Sequence, residues 1–194
     1  MKKILLILCA GLIFTACGGG SKSTIDITYD GQPIPFETKS AWITAQKAIY
    51  GGNVQASDQN HALRWITLRN YDFEVKRALG ANEGKLTEAG QVKLFLSIHD
   101  EAGTDEKTPI KPATYSGAND GPMEFEFLNL TVFAGGKEES YQVSISGQPN
   151  KADSFVKINS VTDDTVTGEV NVNVKTKDKV LTIKGPFTAK IFKQ

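Results

Sequence analysis

The residues here that could do chemistry are few. The chain has two histidines, His61 and His99. His99 opens the most acidic stretch, His99-Asp100-Glu101-Ala102-Gly103-Thr104-Asp105-Glu106, in which four carboxylates fall within seven residues. Calcium takes six to eight oxygen ligands, often from one loop, so Asp100, Glu101, Asp105 and Glu106 form a candidate calcium set. Their spacing is not that of an EF-hand, and a solvated acidic loop accounts for the same residues. A serine hydrolase needs a nucleophile, a histidine base and an orienting acid. No Gly-x-Ser-x-Gly elbow is present, and Ser144-Ile145-Ser146-Gly147 reads as a strand end. His99 and Asp100 are neighbours, and on a strand neighbours face opposite ways. Two histidines alone do not complete a zinc site. Gly80-Ala81-Asn82-Glu83-Gly84-Lys85-Leu86 has three residues between its glycines where a phosphate loop has four. Leu86 stands where that loop needs a hydroxyl. The sequence therefore assigns no catalytic residue and no cofactor.

The segments that position these residues read as strands. Val166, Val170, Val172 and Val174 share one parity, and Leu181, Ile183, Phe187, Ala189 and Ile191 share another face after a polar turn. Alternation of period two on both sides of a turn predicts a half-buried antiparallel hairpin. Phe155 to Val161 precedes it, with a turn at Asp163-Asp164. Val92, Leu94, Leu96 and Ile98 alternate with polar residues. In Glu124 to Phe133 the apolar parity switches between Phe125/Phe127 and Leu128/Leu130/Val132, which predicts a bulge or a bend between sheets. Gly135-Gly136 turns this strand into a partner carrying Tyr141, Val143 and Ile145. Ile25–Tyr29, Ala41–Tyr50 and Ala62–Leu68 read as further strands. Phe73–Leu79 reads either as one or two helical turns, capped by Asp72 and stopped by Gly80, or as an edge strand. Eight to ten short strands separated by turn residues predict one all-β domain over residues 25–194, an antiparallel β-sandwich, with a lipocalin-like barrel as the alternative. Trp42, Trp65, Tyr50, Tyr71 and Tyr115 are candidates for its core or for a ligand platform.

The N-terminus is the most specific text. Lys2 and Lys3 precede Ile4 to Ala16, thirteen residues without a charge. As a helix these span about 20 Å at about 1.5 Å per residue, short of the roughly 30 Å bilayer core. This is the pattern of a secretory signal. Phe14-Thr15-Ala16-Cys17 resembles the lipobox of bacterial lipoproteins, with Phe14 where Leu is usual. The resemblance implies cleavage after residue 16 and lipidation of Cys17. It also implies a membrane partner reached through that lipid. Gly18 after the cysteine lacks the aspartate associated with inner-membrane retention, which favours the outer membrane. Residues 17–24, with the Gly/Ser run 18–23, read as a flexible tether. The C-terminal Gly185-Pro186-Phe187-Thr188-Ala189 is similar to the final strand of uncharacterised all-β bacterial lipoproteins, and no activity comes with that resemblance.

Charge limits the partners. The whole chain carries 22 basic and 22 acidic residues. Such a balance gives no argument for nucleic acid. The distribution is uneven: residues 99–139 hold nine acids and three bases, and residues 175–194 hold six lysines and one acid. Lys184 and Lys190 share a polar strand face, which suits anionic lipid head groups or a polyanion, or protects a sheet edge; an envelope protein is the other partner expected. With Cys9 inside the signal and Cys17 lipidated, neither of the two cysteines is left for a disulfide. The expectation is a tethered, non-catalytic binding module of the cell envelope. A lipid or small-ligand carrier with an apolar cavity is the alternative, and a carboxylate-based enzyme the third reading.

Overall fold

A computed structural model describes residues 23–47, 61–77, 80, 82–176 and 178–193. Cys17, the tether up to residue 22 and Tyr50 lie outside the described residues. Eleven strands are present among them: β1 (Asp26–Tyr29), β2 (Gln32–Ile34), β3 (Ser40–Lys47), β4 (Ala62–Arg69), β5 (Val92–His99), β6 (Ala113–Ser116), β7 (Phe125–Ala134), β8 (Lys137–Ser144), β9 (Phe155–Val161), β10 (Thr165–Thr176) and β11 (Lys179–Ile191). They form an open mixed sheet in the order β6-β9-β10-β11-β3-β4-β5-β7-β8, with β1 and β2 beside the first part of β11. The sheet does not close as a barrel, and its two halves share one apolar cluster in a sandwich-like all-β fold.

Among the described pairs of named strands the expected antiparallel pairing has one exception. Strand β11 pairs with β3 in parallel, through Lys190 with Trp42 and Ile191 with Ile43. The cause is the β1–β2 hairpin. Asp30 and Gly31 turn it with φ of 53° and 75°, the left-handed pair of a type I′ turn. Strand β1 runs antiparallel to Leu181–Lys184, so after this reversal the chain continues alongside β11 in the same direction. The N-terminal segment passes close to β11 here: a Cβ on Gly185 would lie 2.8 Å from the Thr24 carbonyl oxygen. Only glycine fits that approach.

Alternation decides the core. Val166, Val170, Val172 and Val174 of β10 and Leu181, Ile183, Phe187 and Ala189 of β11 are buried as their parity predicts. The parity switch in β7 is a bulge: Ser97 pairs with Phe127 and Ile98 with Phe125, leaving Glu126 as the extra residue. Phe125 stays in the core, while Phe127 turns out to meet the ring of Phe95. The described part of the 73–79 stretch is neither helix nor strand. Phe73 lies under the Arg69 guanidinium and Val75 is buried, so tertiary contacts override the weak local propensity. Tyr115 is a core residue and Trp65 packs edge-on against Phe95.

Edge protection falls elsewhere than on the lysines of β11, which is an interior strand. The ends of the path are β6, only four residues long, and β8, whose sequence is KEESYQVS. Strand β2 is three residues long and contains Pro33. Short length, charge and proline are the features that discourage edge-to-edge pairing.

Candidate functional site

The acidic loop after β5 does not gather its carboxylates. Asp100 is buried and accepts hydrogen bonds from Arg64 Nε and from the Tyr115 hydroxyl, each at 2.7 Å. Arg64 also donates to the Thr108 carbonyl. Burial, with Asp100 adding to it, pushes the Tyr115 phenol far above its ordinary value. Glu101 instead pairs with Lys111 at 2.6 Å on the surface. Asp105 accepts from the Thr108 hydroxyl and from the backbone N–H groups of Lys107 and Thr108, which hold its carboxyl below the usual range. Glu106 is half exposed. Three of the four carboxylates expected to bind calcium are thus engaged separately. Among the described residues no group of three or more His, Cys, Asp or Glu is arranged to hold a metal ion.

His99 and Asp100 do face opposite ways, and what His99 meets is 38 residues distant. His61 Nε2 lies 2.6 Å from His99 Nδ1, with both rings buried. His99 Nε2 lies 3.0 Å from Glu126 Oε2, which also accepts from the Ser97 hydroxyl at 3.0 Å. The β7 bulge makes this possible, because it turns Glu126 to the face that carries Ser97 and His99. The contact with His99 holds Glu126 below the usual carboxylate range. An ionised carboxylate only accepts, so His99 Nε2 carries the hydrogen and, in the neutral pair, His61 Nε2 donates to His99 Nδ1.

A second charged group lies at the other end of β4. Arg69 and Lys93 are buried directly opposite each other on the β4–β5 ladder. Arg69 donates to the Glu83 carbonyl at 2.8 Å and stacks its guanidinium 3.8 Å from the centre of the Phe73 ring. Lys93 donates to the Asn82 carbonyl at 3.0 Å. Burial, and then the neighbouring Arg69, lower the Lys93 ammonium below its ordinary value. These contacts tie the crossing from β4 to β5 onto the outer face of the sheet.

A groove of about 450 Å³ opens where the β1–β2 hairpin faces β7 and β8. Tyr29, Ile34, Pro35, Val132, Phe133 and Tyr141 supply apolar surface. The Tyr29 and Tyr141 rings meet with centroids 4.4 Å apart. Polar groups stand at the rim: Lys179 pairs with Asp30 at 3.1 Å, and the Tyr141 hydroxyl donates to Glu139 at 3.2 Å. Two larger depressions, of about 760 and 700 Å³, are set around Trp42 and Arg64. Eight of the eleven residues that line the first are charged or carry a hydroxyl, and Lys190 lies 5.5 Å over the Trp42 ring. The second includes Arg64, which is committed to Asp100.

Tyr29 and Tyr141 were not among the aromatics that the sequence singled out. Each sits singly in a strand, their strands are far apart in the sheet order, and they meet only because both pack against the shared core. Comparison of the chain with protein-family models, curated proteins and solved structures finds no match.

Proposed function

We propose that this chain is a lipid-anchored protein of the bacterial cell envelope whose β domain is a non-catalytic binding module. Its binding site is the groove between β1–β2 and β7–β8, and its ligand is a small apolar molecule with one polar end. The groove carries this reading. Its volume and its apolar lining with a few polar groups at one rim are the general properties of small-ligand sites. Asp30, Lys179 and Glu139 would orient the polar end of the ligand, while the two tyrosines take its body. The carrier reading draws on one further observation: Tyr29, Ile34, Val132 and Tyr141 line the groove and also pack against the core cluster. A ligand seated there therefore continues the core.

Anchoring and binding are tested apart. Replacing Cys17 with serine is expected to abolish incorporation of labelled palmitate, and unchanged labelling would refute the anchor. For the groove the probe is anilinonaphthalene sulfonate titrated into the full chain. One saturable site is expected, weakened at least tenfold in Tyr141→Lys with little change in melting temperature. Equal affinity in the variant would refute the site.

A further inference from the structure

The His61–His99–Glu126 chain joins three strands at one end of the sheet. His61 immediately precedes β4, His99 ends β5, and Glu126 is the bulged residue of β7. Backbone bonds cross the same place: Asp100 N–H donates to the Ala62 carbonyl, and His99 N–H to the Glu124 carbonyl. With 2.6 Å between His61 Nε2 and His99 Nδ1, one hydrogen lies between them. The neutral pair holds it on His61. After one proton is added it sits on His99, while His61 switches to its other neutral tautomer and accepts. A second added proton puts N–H against N–H, and at this separation the pair must part. We infer that the chain is an acid-operated latch on the β4–β5–β7 end of the sheet, closed while the two imidazoles hold at most one added proton and opened when both are protonated.

Several charged groups of the described residues stand around the imidazole pair. Among the described residues Glu126 is the carboxylate that touches it, and its half-exposed side chain connects the chain to solvent. Nearby Arg64 and Asp100 are bonded to each other, Glu124 accepts from the Gly121 N–H, and Glu101 is paired with Lys111. His61 and His99 are also the two histidines of the entire sequence.

In the unfolded chain both imidazoles are protonated well below about pH 6.5, whereas the closed latch takes one proton at most. One proton of difference lowers the folding constant about tenfold per pH unit. The test is urea unfolding of the full chain between pH 7.5 and 5, with amide hydrogen exchange followed at both ends of the sheet. The folding constant is expected to fall roughly ten- to thirtyfold from pH 6.5 to 5. Amides of Leu63, Ile98 and His99 should lose protection before those of the β10–β11 hairpin. In His61→Gln, where one imidazole remains and the amide can still donate to His99, the fall should shrink to less than threefold. Stability flat to within twofold in the native chain would overturn the latch, as would an undiminished fall in His61→Gln. Should that variant not fold, the native chain still decides: equal loss of protection in both regions means general acid unfolding and overturns it.

Discussion

Arg64 and Arg69 lie on one strand, five residues apart, and therefore on opposite faces. Both are buried, and their charges are met in different ways. Arg64 has a carboxylate: Asp100, itself buried, takes the guanidinium on one oxygen and the Tyr115 hydroxyl on the other. Arg69 has a second cation directly across the ladder, and the two are met by backbone carbonyls, the Tyr71 side chain, the face of Phe73 and the field of Glu138. The first arrangement is an ion pair whose members depend on each other. The second spreads each charge over several weaker partners and leaves like charges side by side, which is unfavourable on a sheet. Loss of a single side chain should therefore be severe in the first and mild in the second.

The largest effect is expected at Asp100. Asp100→Ala leaves the Arg64 charge buried without its carboxylate and should cost about 3–5 kcal/mol. Adding Arg64→Met should restore much of that loss, because a buried ion pair replaced by apolar groups is often neutral. Urea unfolding of the two single variants and the double variant measures the coupling. A double variant as unstable as Asp100→Ala would show that the pair is not the unit of stability. Arg69→Met should cost less, about 1–2 kcal/mol: it removes a cation–π contact, a bond to a carbonyl and the contact with Tyr71, but relieves Lys93 of its neighbour. A cost equal to that of Asp100→Ala would erase the contrast between the two ends.

These assemblies explain why the fold was more legible than the site. Strand identity is written locally. Alternation placed the β10–β11 hairpin, and the parity break between Phe125 and Leu128 marked the bulge in β7. Strands β2 and β6 are too short for any period to show, and the one parallel pairing depends on how a hairpin turns the chain. The site is not local at all. Arg64 and Asp100 are 36 residues apart, His61 and His99 are 38 apart, and Glu126 reaches His99 only because one residue is inserted in the ladder. The acidic loop looked like a single feature because its carboxylates are close in sequence. Asp100 turns inward to Arg64, and the others face solvent or their own loop.

The smallest effect in neutral solution sharpens the comparison most. Lys93→Met keeps the length of the side chain and removes a charge that burial and Arg69 both penalise. Its stability at pH 7 should lie within about 1 kcal/mol of the native chain. At alkaline pH Lys93 and Tyr115 have opposite signs. The Lys93 ammonium is held below its ordinary value, so its cost is present at neutral pH and is relieved as pH rises toward about 10.5, where the unfolded lysine also loses its proton. The Tyr115 phenol is held above its ordinary value, so its contribution is complete below about pH 10 and declines above it, where the unfolded phenol ionises first. Unfolding followed from pH 8 to 11 should lose its rising component in Lys93→Met. The same series in Tyr115→Phe should show a smaller fall, the raised Tyr71 and Tyr141 phenols leaving the remainder. Identical alkaline profiles in the native chain and both variants would mean that neither burial alters the titration. The contrast between a buried cation met by a carboxylate and two buried cations side by side would then rest on geometry alone.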